Sequence, residues 1–374
     1  MKRFAILHPS AELYGSDRVL LDHVKHLDRG RYEPLVVLPR RGPLSVALTR
    51  HEVPWQIADV VSVTRAERAR PGLLAMRSLR ALRRLDRLGA KAGVEFVHTS
   101  TSACLGGPLW SRLAGLPHLW HLQEIPTRWG QRLLAPLLAA SSGPLVCNSA
   151  AVADWVGNCG ARVAARTRIV YPGRERPSSV SEVSWGALDV PKGASLALLL
   201  GRLTPRKGHR LALAALKRTR GDLHLVIAGG EAPGHPGYAR ELRAQIARSP
   251  CWRRVHLLPR GSHDPWSLLA ASDLVLVPSV EPESFGLVAL EAMLSGRPVL
   301  ASAEGGLGEL VIPEETGLLL PPEPEAWASA WERLAKAPDL RASWGAAGLA
   351  RGARFSTAAA SEGLARLYEG LCAD

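Results

Sequence analysis

Residues 279–299, Ser279-Val280-Glu281-Pro282-Glu283-Ser284-Phe285-Gly286-Leu287-Val288-Ala289-Leu290-Glu291-Ala292-Met293-Leu294-Ser295-Gly296-Arg297-Pro298-Val299, read as a strand end, a turn, a helix and the entry to the next strand. The helix is expected to begin near Phe285 or Gly286, so its free N–H groups and the positive end of its dipole point beyond the preceding strand, where they suit a phosphate. Glu283 stands just before that helix and Glu291 follows about two turns later. Eight helical steps at about 1.5 Å each would separate the two carboxylates by roughly 12 Å. That is comparable to the span from a hexose to a ribose across a diphosphate, so each carboxylate would accept hydrogen bonds from hydroxyls at one end of a single ligand.

Carboxylates alone repel a diphosphate, so this geometry needs cations close by. Gly201-Arg202-Leu203-Thr204-Pro205-Arg206-Lys207-Gly208 supplies them, again between a strand and a helix. Arg202 can grip phosphate oxygens with a planar fork and Lys207 can add a point charge.

Outward from these loops, short apolar runs alternate with longer amphipathic stretches. Phe4–His8, Pro34–Leu38, Phe96–Thr99, His118–Leu122 and Pro144–Cys147 read as strands in the first half. The pattern restarts with Leu196–Leu200, Leu223–Ala228, Val255–Leu258, Leu274–Pro278 and Pro298–Ala301. Strands alternating with helices predict parallel sheets, here two doubly wound α/β domains. The expected bounds are 1–175 for the first domain, 176–194 for a Ser-, Pro- and Gly-rich linker, and 195–355 for the second domain. Residues 356–374 form a final amphipathic helix that can pack on either domain, including back on the first. In open α/β sheets ligands bind at the carboxyl ends of strands, which is where both quoted loops lie.

Gly201–Gly208 and Glu283–Glu291 (E-x7-E), followed by Gly305-Gly306 to Glu309 and by Thr316-Gly317-Leu318, resemble the family 4 (GT4) retaining glycosyltransferases. The resemblance is most specific from Leu198 to Pro322. It implies the GT-B fold, two Rossmann-like doubly wound domains facing across a central cleft. It also implies roles: Arg202 and Lys207 bind the donor diphosphate and stabilise the departing nucleotide, while Glu283 holds the donor sugar. The backbone N–H groups of Ser284, Phe285, Gly286 and Leu287 take the phosphates, Glu291 binds the ribose, and the backbone near Pro259 and Arg260 reads the base. Gly305-Gly306 is explained as well by a plain turn as by close approach to a ligand.

In the first half the resemblance places a glycine-containing loop at Ser10–Arg18, with Gly15 and Ser16 near the donor phosphates; Ser16 as an ordinary helix N-cap is the competing reading. Members of the family commonly carry a strand-end histidine that contacts the transferred sugar. Here Gln123 occupies that position and His121 lies two residues earlier on the same side of the strand, so both stay candidates for the catalytic contact. His121 as a hydrogen-bonded core histidine is the alternative.

Charge is distributed unevenly. The chain carries 47 Lys and Arg against 34 Asp and Glu, a net +13, and the whole excess falls before Pro177. An anionic partner is therefore expected on the first half. Pro71 to Lys91 alternates Leu73, Met76, Leu79, Leu82 and Leu85 with Arg77, Arg80, Arg83, Arg84 and Arg87, a basic amphipathic helix. It suits an anionic membrane surface or acceptor, or simply a core-facing helix with a solvated arginine face.

Several classes are excluded. Five scattered cysteines, Cys104, Cys147, Cys159, Cys251 and Cys372, give neither a disulfide framework nor zinc spacing. No Asp-x-Asp occurs, so no metal is expected. The apolar run after Met1 is too short for a signal-peptide core, and the uncharged stretch Leu133–Ala153 is broken by Ser141-Ser142-Gly143-Pro144 into helix, turn and strand. The basic half lacks a recognisable nucleic-acid module, so no nucleic acid is expected. The combined reading is a retaining, metal-independent hexosyltransferase without a resident cofactor, taking a UDP- or GDP-sugar. Its acceptor would be a carbohydrate, a lipid-linked sugar or a small molecule. Its expected place is the cytoplasm or the inner face of the plasma membrane, in surface polysaccharide or glycolipid assembly. Glycosylation of a soluble metabolite, and a nucleotide-sugar epimerase or hydrolase of the same fold, are the alternatives, with a basic nucleic-acid-binding protein a distant one.

Overall fold

The computed structural model describes residues 1–62, 71–181, 183, 185–188, 190–191, 193–232 and 234–371. Two compact units are present, Met1–Gly173 together with Ser356–Asp374, and Arg174–Phe355.

The first unit contains β1 (Lys2–Leu7), β2 (Tyr32–Leu38), β3 (Trp55–Ile57), β4 (Phe96–Ser100), β5 (His118–Leu122), β6 (Leu145–Cys147) and β7 (Thr167–Ile169). The second contains β8 (Ser195–Leu200), β9 (Leu223–Ala228), β10 (Val255–Leu258), β11 (Leu274–Val277), β12 (Val299–Ser302) and β13 (Gly317–Leu320). Every pairing between named strands is parallel, in the orders β3-β2-β1-β4-β5-β6-β7 and β10-β9-β8-β11-β12-β13. Central strands such as Phe4–Leu7 and Leu274–Val277 are buried along their length because helices cover both faces, which is why they read as unbroken apolar runs. The two sheets share one topology: chain order reverses between β1 and β4, and again between β8 and β11. Those reversals open a crevice at the carboxyl ends of the two central strands. This is the GT-B architecture of two Rossmann-like domains.

Three strands escape sequence reading: β3, β7 and β13. All lie at sheet edges, where short length and half-exposure weaken the apolar pattern. Described residues of the expected linker 176–194 pack on the second unit. Val180, Val183, Trp185 and Val190 contact its core and the Trp185 indole donates to Ala271 O at 2.9 Å. Apolar side chains spaced irregularly among Ser and Pro have no period, yet they still bury surface.

The final helix, Thr357–Leu371, packs on the first unit. Its Tyr368 is fully buried and its hydroxyl meets His23 Nε2 at 2.8 Å and His98 Nδ1 at 2.7 Å. The basic helix, Pro71–Ala92, turns Ala81 and Leu85 into the core and sets Gly89 against the Trp110 ring. Met76 and Leu79, expected on the core stripe, are instead 55% and 50% exposed. They stand on the same face as Arg80, Arg83 and Arg87, while Leu82 and Leu85 of that stripe do meet the core, with Ala81, Leu88 and Gly89 beside them. The Leu73 side chain and Cys372 lie outside the described residues. Leu133–Ala153 forms the end of the helix Arg128–Ala140, β6 and the first half of the helix Ala150–Gly157. Among the described residues no helix is long and apolar enough to cross a membrane.

Candidate functional site

In the second unit the loops that follow β8 and β11, the two strands at the reversal, are locked together. Val280 N donates to Arg206 O at 2.9 Å. Gly208 has φ +69°, and a Cβ there would lie 1.7 Å from Pro278 O, so only glycine lets the β8 loop approach this closely. The docking brings Lys207 Nζ to 2.6 Å from Glu283 Oε1 and Arg206 to 3.4 Å from Glu283 Oε2. Ser279 Oγ donates to Glu283 Oε1 at 2.5 Å.

Glu283 is buried, 5% exposed. Burial alone would raise its pKa; the charges of Lys207 and then Arg206, with hydrogen bonds from Lys207 and Ser279, outweigh burial and hold it at about 2. The carboxylate is therefore ionised throughout the physiological range. Its backbone is also fixed: Gly306 N donates to Glu283 O at 2.7 Å, and Glu283 bridges Gly305. A Cβ on Gly305 (φ +76°) would sit 2.2 Å from Glu283 O, and one on Gly306 would sit 2.4 Å from Ser284 O. The Gly305-Gly306 pair thus makes room for the Glu283–Ser284 backbone, a role that neither the plain-turn nor the ligand-approach reading foresaw.

The next helix spans Leu287–Leu294 with Gly286 as its N-cap, a little later than the expected start. Its first main-chain bond runs from Leu290 N to Gly286 O, so the amides of Leu287, Val288 and Ala289 have no intrahelical acceptor. Residues 283–286 are not helical, which removes the eight-step spacing assumed between Glu283 and Glu291. The Phe285 ring faces the core, edge-on to Phe355 at 5.6 Å, while Ser284 and Leu287 are half-buried. Glu291, 4% exposed, accepts from Arg174 Nε at 2.9 Å, and the Arg174 guanidinium lies 5.9 Å from the Trp266 ring.

Arg202 is exposed on the β8 loop that also carries Arg206 and Lys207. The Lys207 stem lies over Gly201, and a Cβ on Gly229 would be 1.7 Å from Gly201 O, so the β9 loop closes on the β8 loop as well. Pro259 and Arg260 are exposed after β10, with the Arg260 stem against Gly230. The carboxyl ends of β8, β9, β10 and β11 therefore bring Arg202, Lys207, Arg260 and Glu283 to one end of this unit, with Ser284–Leu287 leading from them to Glu291. Two basic side chains, Lys207 and Arg206, face a single ionised carboxylate at the head of an uncapped helix, with Arg202 exposed on the same loop, an arrangement that can hold a diphosphate and offer an acceptor to a sugar hydroxyl. Sequence reading assigned no role to Arg206, although it stands beside Lys207. It also missed Ser279, four residues before Glu283, and Arg174, which is 117 residues from its partner and carries no local signal.

The other candidates belong to the first unit. Gly15 is exposed and Ser16 half-buried at the start of the helix Gly15–His26. The N-cap of that helix is Tyr14, not Ser16, and the Tyr14 amide is held by Asp17 Oδ2 at 2.8 Å. His121 is 4% exposed and its ring stacks on His98 at 5.6 Å, with Nε2 lacking a hydrogen bond among the described residues. Burial holds its pKa at about 4, so the ring is neutral at physiological pH. Gln123 lies just past the end of β5, 6% exposed, and donates from Nε2 to Ser100 Oγ at 3.1 Å. The strand end separates the two: His121 joins a buried histidine cluster, and Gln123 reaches the reversal of the first sheet.

Comparison with known proteins follows the same division. Residues 186–351 match the family model described as glycosyl transferases group 1. The D-inositol 3-phosphate glycosyltransferase of Saccharomonospora viridis is 34% identical over 246 residues, 62% of this chain and 56% of that protein. The corresponding protein of Corynebacterium jeikeium is 36% identical over 220 residues, 54% of this chain and 52% of that one. The chain thus spans about half the length of the curated relatives it matches. The crystal structure of Anabaena Alr3699/HepE in complex with UDP-glucose superposes with a TM-score of 0.84 at 25% identity, covering 99% of this chain and 100% of that one.

Proposed function

We propose, from the match of residues 186–351 to the group 1 glycosyl transferases, that this chain is a GT4-like enzyme that moves a hexosyl group from a nucleotide-diphosphate sugar to an acceptor hydroxyl with retention at the anomeric carbon. The observation that carries this is Glu283 held at 2.6 Å by Lys207 and at 3.4 Å by Arg206 beside the open amides of the Leu287–Leu294 helix. Arg202, Arg206, Lys207 and those amides take the diphosphate, Glu283 accepts from a hydroxyl of the transferred sugar, Glu291 from the ribose, and the backbone at Pro259–Arg260 reads the base. Gln123 contacts the transferred sugar, and Gly15 and Ser16 approach the phosphates. A UDP-sugar is favoured over a GDP-sugar because HepE, 25% identical, was crystallised with UDP and with UDP-glucose.

In the reaction the bond from the anomeric carbon to the phosphate oxygen breaks and its electron pair stays with the diphosphate. The acceptor oxygen bonds to the same face of that carbon, and its proton passes to the departing phosphate. Negative charge grows on the diphosphate while positive charge grows on the sugar ring, so preplaced cations and amides lower the barrier where a metal is not needed. A thermal-shift series with UDP, GDP and their sugars tests the donor class: stabilisation by UDP and its sugars supports the reading and indifference to all of them refutes it. Transfer that EDTA abolishes and Mn²⁺ restores would overturn metal independence.

A second reading concerns place. Met76 and Leu79, 55% and 50% exposed amid Arg80, Arg83 and Arg87, fit an anionic bilayer: the apolar pair enters the headgroup boundary and the arginines meet phosphates. The expected place is then the inner face of the plasma membrane, and the acceptor a lipid-linked one. Sedimentation with phosphatidylglycerol vesicles should exceed that with phosphatidylcholine vesicles and fall in the double variant Met76→Ser, Leu79→Ser; equal sedimentation with both compositions rejects the membrane.

A further inference from the structure

The first unit carries a buried polar chain that the function above does not use. Asp17 Oδ1 lies 2.8 Å from His8 Nε2, His8 Nδ1 lies 3.1 Å from Ser100 Oγ, and Ser100 Oγ accepts from Gln123 Nε2 at 3.1 Å. His8, Asp17 and Ser100 are 0%, 1% and 1% exposed. They come from the end of β1, the first turn of the helix after it, and the last residue of β4, so the chain lies at the sheet's reversal. Buried groups that cost this much to desolvate persist when each is paired, and here each is.

With the His8 ring proton on Nε2, the donors and acceptors fall in one order. Asp17 is held as a carboxylate: burial alone would raise its pKa, and its pairing with His8, joined by hydrogen bonds from Ser10 and the Tyr14 amide, more than offsets that. Its Oδ2 already takes the Tyr14 amide at 2.8 Å, leaving Oδ1 to accept from His8 Nε2–H. His8 Nδ1 then accepts the Ser100 hydroxyl proton, and the freed lone pair of Ser100 accepts from the Gln123 amide nitrogen. Asn148 Nδ2 fixes the Gln123 backbone by donating to its carbonyl at 3.2 Å. Gln123 Oε1 takes no hydrogen bond from a described residue.

We infer that Asp17, His8 and Ser100 are positioning residues that lock the Gln123 amide with its nitrogen inward and its oxygen presented to a hydroxyl of the transferred sugar. This rests on the transferase reading and deepens it. An amide free to rotate presents N–H or C=O equally, whereas a locked one offers an acceptor at a fixed place and loses a sugar that lacks the hydroxyl. His8, Asp17 and Ser100 touch no substrate and act through Gln123.

The chain has four glutamines, Gln56, Gln123, Gln131 and Gln245. Labelling glutamine alone with 15N yields four side-chain amide signals, and the one missing in Gln123→Ala is Gln123. In the unaltered protein that signal should exchange with water at least about tenfold more slowly than that of exposed Gln56. Ser100→Ala and His8→Gln should each shift it and remove the protection, and Ser100→Thr, which keeps the hydroxyl, should retain it. In Ser100→Ala the KM for UDP-glucose should rise roughly three- to tenfold, the loss of one oriented hydrogen bond, with UDP affinity unchanged. Exchange in the unaltered protein as fast as that of Gln56 overturns the lock, whether or not the variants fold. UDP and UDP-glucose binding equally well to a chain whose Gln123 is protected overturns the sugar contact. Binding neither, with the protection intact, removes the transferase reading while the lock stands.

Discussion

Replacing Lys207 by alanine takes away the nearest counter-charge of a carboxylate that is only 5% exposed. Burial would raise the Glu283 pKa above its ordinary 4.5; Lys207, Arg206 and Ser279 together bring it down to about 2. At about 1.4 kcal/mol per tenfold change in proton affinity, that difference corresponds to about 3 kcal/mol of stability. The folded pKa lies below the unfolded one, so this stability is fully present above pH 4.5 and is lost as pH falls toward 2. In the variant Arg206 at 3.4 Å and Ser279 remain. The share that disappears is therefore about 1–2 kcal/mol, which in a unit of this size lowers Tm by roughly 2–8 °C. Melting curves of both proteins from pH 8 to pH 3 measure it: the gap should be open at pH 7 and narrow below pH 4.5 as the carboxyl takes a proton in the folded variant, while the native carboxyl stays ionised until nearer pH 2. Transfer from UDP-glucose should fall by two or three orders of magnitude, as when one preplaced donor to a developing anion is lost. Equal melting at pH 7, a gap of unchanged size at pH 3, or turnover near that of the native chain would refute the coupling of Lys207 to Glu283.

Gly208→Ala forces a Cβ against Pro278 O at a positive φ. The β8 loop must then lift from the β11 loop, with an expected loss of about 2–4 kcal/mol and of UDP binding, read by melting and calorimetry; binding that survives shows that the loops need not touch. Tyr368→Phe strips the hydroxyl that meets His23 and His98 and leaves two buried ring nitrogens unpaired, an expected loss of about 2–4 kcal/mol in the first unit with UDP affinity retained. Acid should weaken that unit too. Burial holds His23 at about 3 and His121 at about 4 when folded, while an unfolded histidine takes its proton near 6.5. Unfolding therefore absorbs protons between those values and stability falls as pH drops from 6.5 toward 3; a flat stability profile across that range in denaturant titrations would contradict the buried neutral cluster.

The loops proposed to hold the donor were legible because their chemistry is local. A diphosphate needs cations and open amides within a few ångströms, and two loops of about ten residues supply them, each between a strand and a helix that the apolar pattern already marks. What those loops do to each other was not legible. That Gly208 serves Pro278, that Gly305 and Gly306 serve Glu283, and that Arg206 shares Glu283 with Lys207 all depend on β8 lying beside β11, a pairing no local pattern encodes. The error on the Pro71–Ala92 helix has the same origin. Leucine and methionine at three-residue spacing suggest one core stripe, yet only Leu82 and Leu85 of it meet the core while Met76 and Leu79 turn outward, because the helix approaches the Trp110 ring through Ala81, Leu85 and Gly89.

In the first unit the functional groups are far apart in sequence, and each is unremarkable alone. His8 ends an apolar run, Asp17 sits in a first helical turn where acids are common, and Ser100 and Gln123 close two further strands. Their connection follows from the register: β1 pairs β4 with Leu7 opposite Thr99, and β4 pairs β5 with Ser100 opposite His121. His8, Ser100 and Gln123 therefore fall at one level, each at or just past a carboxyl end, and Asp17 is returned to them by one turn of helix. Once strand order 3-2-1-4-5 is assumed, polar residues at the ends of the first, fourth and fifth strands can be tested as a set without coordinates. A carboxylate, an imidazole, a hydroxyl and an amide are each costly to bury alone, and they fit this interior only as a set in which each is paired with the next.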